Sequence, residues 1–124
     1  ELRRPSDLLD QTLLHLDGGG TIWGAVDWHV WLVQQGVTGQ PVRRGIRLNS
    51  YPMVLQGAEA GRGVALGWSY ITDAMLASGQ LVCLFDTPLV TSCSYYIGAS
   101  SARAADPAVA AFLQWMVEEC DGME

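Results

Sequence analysis

The chain contains no lysine; all seven of its basic residues are arginine. That absence removes the lysine of a phosphate-binding loop, and with it nucleotide hydrolysis of that type. Positive charge is also thin and scattered: the formal net charge is −6, and the only basic doublets are Arg3-Arg4 and Arg43-Arg44. Nucleic-acid binders concentrate positive charge on one face to neutralise phosphates, so these residues are not expected to bind DNA directly. No apolar run approaches the length of a membrane span, since the longest candidate, 26–33, is broken by Asp27 and His29. No signal peptide is visible at the start. The three cysteines, Cys83, Cys93 and Cys120, form neither an even set nor a Cys-x-x-Cys pair. They do not read as a disulfide framework; buried or half-buried thiols in a reducing cytoplasm are expected instead.

Catalytic patterns are missing too. No Gly-x-Ser-x-Gly nucleophile elbow occurs. His15-Leu16-Asp17 offers half of an acid–base pair, but alternation along a strand is enough to explain it, and no nucleophile stands nearby. His29, between Trp28 and Trp31, reads as a surface or half-buried imidazole. His15 with Asp17 supplies two metal ligands and no third. The glycines at 61, 63 and 67 do not make Gly-x-Gly-x-x-Gly, and they lead into a strand rather than open a helix. No catalytic residue, metal or cofactor is therefore expected, and the chain is not expected to be an enzyme.

What is present points to an ordered fold. Hydrophobic residues make up 49% and charged residues 16% of 124, which excludes disorder and allows one modest core. The chain starts at Glu1, so a longer parent protein is expected. A capped turn is expected at 6–9, and strands at 12–16, 45–48, 64–66, 81–85 and 94–97. Helices are expected at 26–35, with Val26, Val30 and Val33 on one face and Gly36 as its stop; at 51–60, capped by Ser50 and ended by Gly61; and at 70–78, stopped by Gly79. The last helix opens with Asp106-Pro107 and carries an apolar stripe of Val109, Phe112, Leu113, Met116, Val117 and Cys120. Strands alternating with helices over short connections predict an α/β fold: a small, mostly parallel sheet flanked by helices.

In open α/β sheets, ligands bind beyond the carboxyl ends of the strands. Three such ends are legible: His15-Leu16-Asp17, Asn49-Ser50 and Gly67-Trp68-Ser69. Helix N-termini there favour a carboxylate or another anion. The expected ligand site is accordingly Asn49, Ser50, Trp68, His15 and Ser69. Three of them have a plainer reading beside this one: Ser50 as a helix cap, Asn49 as a turn residue, Trp68 as core.

The run MVLQGAEAGRGVALGWSYITDAMLASGQLV, residues 53–82, resembles the effector-binding domain of LysR-type transcriptional regulators. The pattern is a helix ending in Ala-x-x-Gly-x-Gly, an apolar strand, a helix, then Gly-x-Leu-Val. Ala65-Leu66-Gly67-Trp68 looks most like the glycine-cleavage-activator branch. Leu13-Leu14-His15, WHVWLVQQG at 28–36, and the closing helix with Asp106-Pro107, Phe112 and Trp115 agree with it. The resemblance implies a type II periplasmic-binding-protein-like fold, with 1–85 as the second regulatory subdomain and 86–124 as the crossover, strand and helix returning to a mostly absent first subdomain. It also implies a cytoplasmic transcription factor that senses a small-molecule effector, anionic or amino-acid-like. DNA would be bound through a helix-turn-helix domain outside this chain, and dimers or tetramers would form. In the family, a polar residue just before the middle helix commonly contacts the effector; here that is Asn49, with Ser50 adjacent. A transport-type solute-binding protein shares the architecture but needs a secretion signal, and a small hydrolase or transferase is the third reading.

Overall fold

The computed structural model describes residues 2–17, 26–38, 44–91 and 96–121. Two compact units are present, Glu1–Thr91 and Ser92–Glu124. The first opens with a 3₁₀ helix over Pro5–Asp10 that buries Leu8. Strand β1 follows at Leu13–Leu16, then helix α1 at Trp28–Gln34 and strand β2 at Gly45–Leu48. Helix α2 spans Tyr51–Glu59 and helix α3 spans Asp73–Ala77.

Strands β1 and β2 are parallel, in a register that pairs Leu13 with Gly45 and Leu16 with Leu48. β1 is the interior strand. Leu13, Leu14 and His15 are all buried, which is what a short apolar run covered on both faces should do. On its other edge β1 meets Val64: the Val64 N–H donates to the Thr12 carbonyl at 2.9 Å, and the Leu14 N–H donates to the Val64 carbonyl at 2.8 Å. The pairing stops there. The strand expected at 64–66 is therefore a single bridge, because the next backbone groups on both sides take side-chain partners. The Leu14 carbonyl accepts from the Trp28 indole Nε1–H at 2.9 Å, and the Leu66 carbonyl accepts from the Tyr51 hydroxyl at 3.2 Å.

Helix α1 starts where Asp27 caps it, its carboxylate accepting the Val30 N–H at 2.8 Å. It ends at Gly36, whose φ of 78° suits a residue without Cβ; the Gly36 N–H reaches the Val33 carbonyl and the Val37 N–H the Leu32 carbonyl, a Schellman closure. The buried face is not the expected one. Val30 and Val33 are exposed, while Trp28, Trp31 and Leu32 are buried. These three also sit at i, i+3, i+4, and two indoles remove far more apolar area from water than a row of valines. Trp28 and Trp31 meet edge-to-face at 5.8 Å, and Trp31 packs on Phe85 at 6.1 Å. Together with Leu8 and Leu13 they form the core of this unit.

Residues 81–85 form no strand. Phe85 is held by Trp31, while Val82 and Leu84 are exposed: the apolar run anchors through one ring rather than through a ladder. The expected helix at 70–78 shortens to α3, since a turn bonded to the Trp68 carbonyl occupies its start. Of the strand expected at 94–97, Ser94 and Tyr95 lie outside the described residues, and Tyr96 and Ile97 are not in a strand. The described sheet is thus two parallel strands and one bridge, smaller than the five strands expected. The cysteines differ as well. Cys83 and Cys120 are exposed rather than buried, because 83 is not on an inward-facing strand and 120 sits in the last turn of the final helix; Cys93 lies outside the described residues.

In the second unit, helix α4 spans Pro107–Asp121. Asp106 Oδ1 accepts the Ala108 N–H at 3.0 Å, and Pro107 takes the first helical position, as the sequence predicts. Phe112 and Trp115 pack at 5.8 Å and both remain half exposed.

Two outcomes follow. Gly45 has φ 140°, and a Cβ there would fall on the Leu13 carbonyl oxygen. Gly45→Ala should lower stability by about 2–4 kcal/mol in urea denaturation, through strain and loss of the β1–β2 approach. An unchanged midpoint would contradict that register. Trp28→Phe keeps an aromatic ring in the core but removes the indole N–H that serves the Leu14 carbonyl, and should cost at least about 1–3 kcal/mol in the same assay; stability equal to that of the parent chain would show that the indole N–H is dispensable.

Candidate ligand site

Because β1 and β2 are parallel and in register, their carboxyl ends emerge at one edge. The ends are tied: the Asp17 N–H donates to the Leu48 carbonyl, and the Arg47 guanidinium donates to the Asp17 carboxylate. Asn49 and Ser50 follow directly, Asn49 exposed and Ser50 half-buried, and α2 begins at Tyr51. Ser50 occupies the N-cap position with an extended backbone, and its carbonyl accepts the Val54 N–H at 3.1 Å. Its side chain makes no cap hydrogen bond. The hydroxyl is therefore not engaged in the role that most simply explains a serine there.

Tyr51 joins this edge to the segment leaving Val64. Its ring stacks on the Trp68 indole, with centroids 4.0 Å apart and planes within 14°. Its hydroxyl donates to the Leu66 carbonyl at 3.2 Å and accepts the Trp68 N–H at 2.9 Å. Trp68 is held from behind by Thr72, which is buried; both its Oγ1–H, at 2.9 Å, and its N–H, at 3.1 Å, donate to the Trp68 carbonyl. Between them Ser69 is exposed, and Tyr70 adopts φ 67°, unusual for a residue with a Cβ, with its N–H on the Asp73 carboxylate at 3.0 Å. Asn49, Ser50, Trp68 and Ser69 thus gather around the Tyr51–Trp68 stack.

His15 is placed differently. It is buried on β1, and its Nε2–H donates to the Arg44 carbonyl at 3.1 Å, toward the amino end of β2. A carbonyl only accepts, so this nitrogen carries the proton. His15 and Asp17 have separate partners and do not form an acid–base pair. A recess of about 340 Å³ lies at that opposite end, beside Leu9, Asp10, Arg44 and Ile46; none of the five expected site residues lines it. Among the described residues no three His, Cys, Asp or Glu side chains cluster as a metal site would require, and no helix is long and apolar enough to cross a membrane.

Tyr51 and Thr72 are the positions that sequence reasoning passes over. The available signals are weak: an aromatic ring with a polar tip at the first position of a helix, and a threonine four residues after a tryptophan.

The family described as LysR substrate binding domain matches residues 1–121. The chain is 34% identical over 116 residues to the glycine cleavage system transcriptional activator of Escherichia coli K12, covering 94% of this chain and 36% of that protein. It is 30% identical over 119 residues to the HTH-type transcriptional activator AmpR of Pseudomonas aeruginosa, covering 95% and 38%. It is 33% identical over 99 residues to the HTH-type transcriptional regulator PerR of Escherichia coli K12, covering 78% and 30%. The chain thus spans little more than a third of the length of the curated relatives it matches most fully. The comparison with solved structures found no match. With the pattern matched from residue 1 to residue 121 and relatives of this identity along nearly the whole chain, the chain belongs to the LysR substrate-binding domain family.

Proposed function

We propose that this chain is the effector-sensing part of a cytoplasmic LysR-type transcription factor, not an enzyme, and that its ligand lies against Asn49, Ser50, Trp68 and Ser69. The observation that carries the reading is the Tyr51–Trp68 stack, which joins the start of α2, just past the end of β2, to the segment leaving Val64, at the carboxyl edge of the parallel pair. Such edges are where open α/β folds bind small molecules. The uncapped Ser50 hydroxyl and the exposed Asn49 supply hydrogen-bonding groups at the start of α2, whose positive end favours an anionic or amino-acid-like effector. His15 acts, on this reading, through β1 rather than by direct contact, since its ring is bonded at the other end of the sheet.

Residues 1–85 serve as the second regulatory subdomain and 86–124 as the segment returning to the first. DNA is bound by a separate helix-turn-helix domain, as the names of the AmpR and PerR relatives imply for those proteins. The net charge of −6 agrees with a chain that does not itself grip a polyanion. The intact regulator forms dimers or tetramers.

The test uses the intact regulator. A thermal-shift panel of amino acids, aromatic acids and β-lactam-related metabolites identifies the effector, since a ligand at a hundred times its Kd raises stability by about 2.7 kcal/mol. Asn49→Ala should then weaken the effector response of a reporter promoter roughly tenfold or more, the usual consequence of losing a hydrogen bond to a charged ligand. Basal DNA binding in a gel-shift titration should stay within about twofold, because a contact worth only a few tenths of a kcal/mol changes affinity no more than that. An unchanged effector response removes Asn49 from the site.

A further inference from the structure

The bonds at Val64 define how a continued parallel ladder would run. Thr12 and Leu14 both bond to Val64, so the next rungs would join the Leu14 carbonyl to the Leu66 N–H, and then the Leu16 backbone to the Leu66 carbonyl and the Trp68 N–H. Those last two groups are instead taken by one atom, the Tyr51 hydroxyl oxygen, which donates to the Leu66 carbonyl and accepts the Trp68 N–H. A residue in a parallel strand offers its neighbour the same pair, one donor and one acceptor flanking a single residue, here Gly67. The hydroxyl substitutes for a strand rung at the point where the 65–68 segment parts from β1. The stack of its ring on Trp68 then sets the indole beside the start of α2. Thr72 packs closely on Gly67: a Cβ there would come within 3.3 Å of Thr72 Oγ1.

We propose that Tyr51 is the positioning residue of the ligand site, its hydroxyl standing in for the Leu16 backbone so that Trp68 is held beside Asn49 and Ser50 instead of zipping onto β1. The functional half of this statement rests on the ligand reading above; the structural half does not. Two properties make the hydroxyl suited to the task. It both donates and accepts, which a phenylalanine ring cannot. It also sits on the first residue of α2, so any shift of that helix end is passed to the 66–68 backbone through two hydrogen bonds, one to the Leu66 carbonyl and one from the Trp68 N–H.

The test is residue-resolved amide hydrogen exchange on the 124-residue chain, without ligand, for the parent, Tyr51→Phe and Tyr51→Leu. Phenylalanine keeps the stack and removes the rung, and leucine removes both. In Tyr51→Phe the Trp68 amide should exchange about tenfold faster, the effect of losing one net hydrogen bond on a local opening. The Leu14 amide, bonded to Val64, should keep its parent rate in that variant. Tyr51→Leu should add a change in the Trp68 indole N–H chemical shift that Tyr51→Phe lacks. An unchanged Trp68 amide in Tyr51→Phe would overturn the proposal, as would equal acceleration at Trp68 and Leu14, which marks general loosening of the fold. With no ligand in the sample, such a failure removes the rung alone, whereas failure of the ligand reading shows in the Asn49→Ala response.

Discussion

Strand β1 is four residues long, and nearly everything described in the first unit depends on its pairing. It bonds β2 on one edge and Val64 on the other, and it buries three successive side chains. Two glycines let its neighbours approach: a Cβ on Gly45 would clash with the Leu13 carbonyl oxygen, and a Cβ on Gly63 with the Thr12 carbonyl oxygen. So short a ladder leaves polar groups over at its end. A buried carbonyl without a donor costs about 1–3 kcal/mol, comparable to a sizeable part of a small domain's net stability. The Trp28 indole meets that need at Leu14 while its ring fills the core, so one side chain serves packing and hydrogen bonding together.

The same requirement, met by a different side chain, shapes the candidate site. Past Val64 the 65–68 segment departs from β1, and the groups released there are satisfied by Tyr51. An edge where neighbouring segments diverge is where an α/β sheet offers a crevice. The irregular geometry that follows, a positive φ at Tyr70 and a buried Thr72 doubly bonded to the Trp68 carbonyl, fixes the turn into α3. Charge stays at the margin: the Arg47–Asp17 pair ties the strand ends but is half exposed, and such pairs contribute little to stability.

The elements legible in the sequence are those set by local chemistry. Residues 12–16 read as a strand because they form a short apolar run, and the observed strand is Leu13–Leu16; α1 stops at Gly36 because its positive φ suits a residue without Cβ. α4 opens with Asp106-Pro107, as such dipeptides do. What was not legible depends on which distant group satisfies which. Periodicity points to a valine face on α1, but the Leu14 carbonyl and the Phe85 ring, both distant in sequence, turn the tryptophans inward instead. The run 81–85 has strand composition, yet a ring contact rather than a ladder holds it. For the candidate site, the strand-end rule leads to Asn49, Ser50, Trp68 and Ser69, the family pattern to Asn49 and Ser50, and the Tyr51–Trp68 stack joins the two stretches of chain. His15, drawn in by the same rule, has its ring at the other end of the sheet. The role of Tyr51 is not legible in the sequence, because nothing in its neighbours' identities shows a hydroxyl acting as backbone.

The most direct measurement is a crystal structure of the intact regulator with its effector bound. Electron density for the effector is expected at the carboxyl edge, with a polar group on Asn49 or Ser50 and its body against Trp68. An effector bound instead in the recess beside Asp10 and Arg44, at the amino ends of the strands, would contradict it.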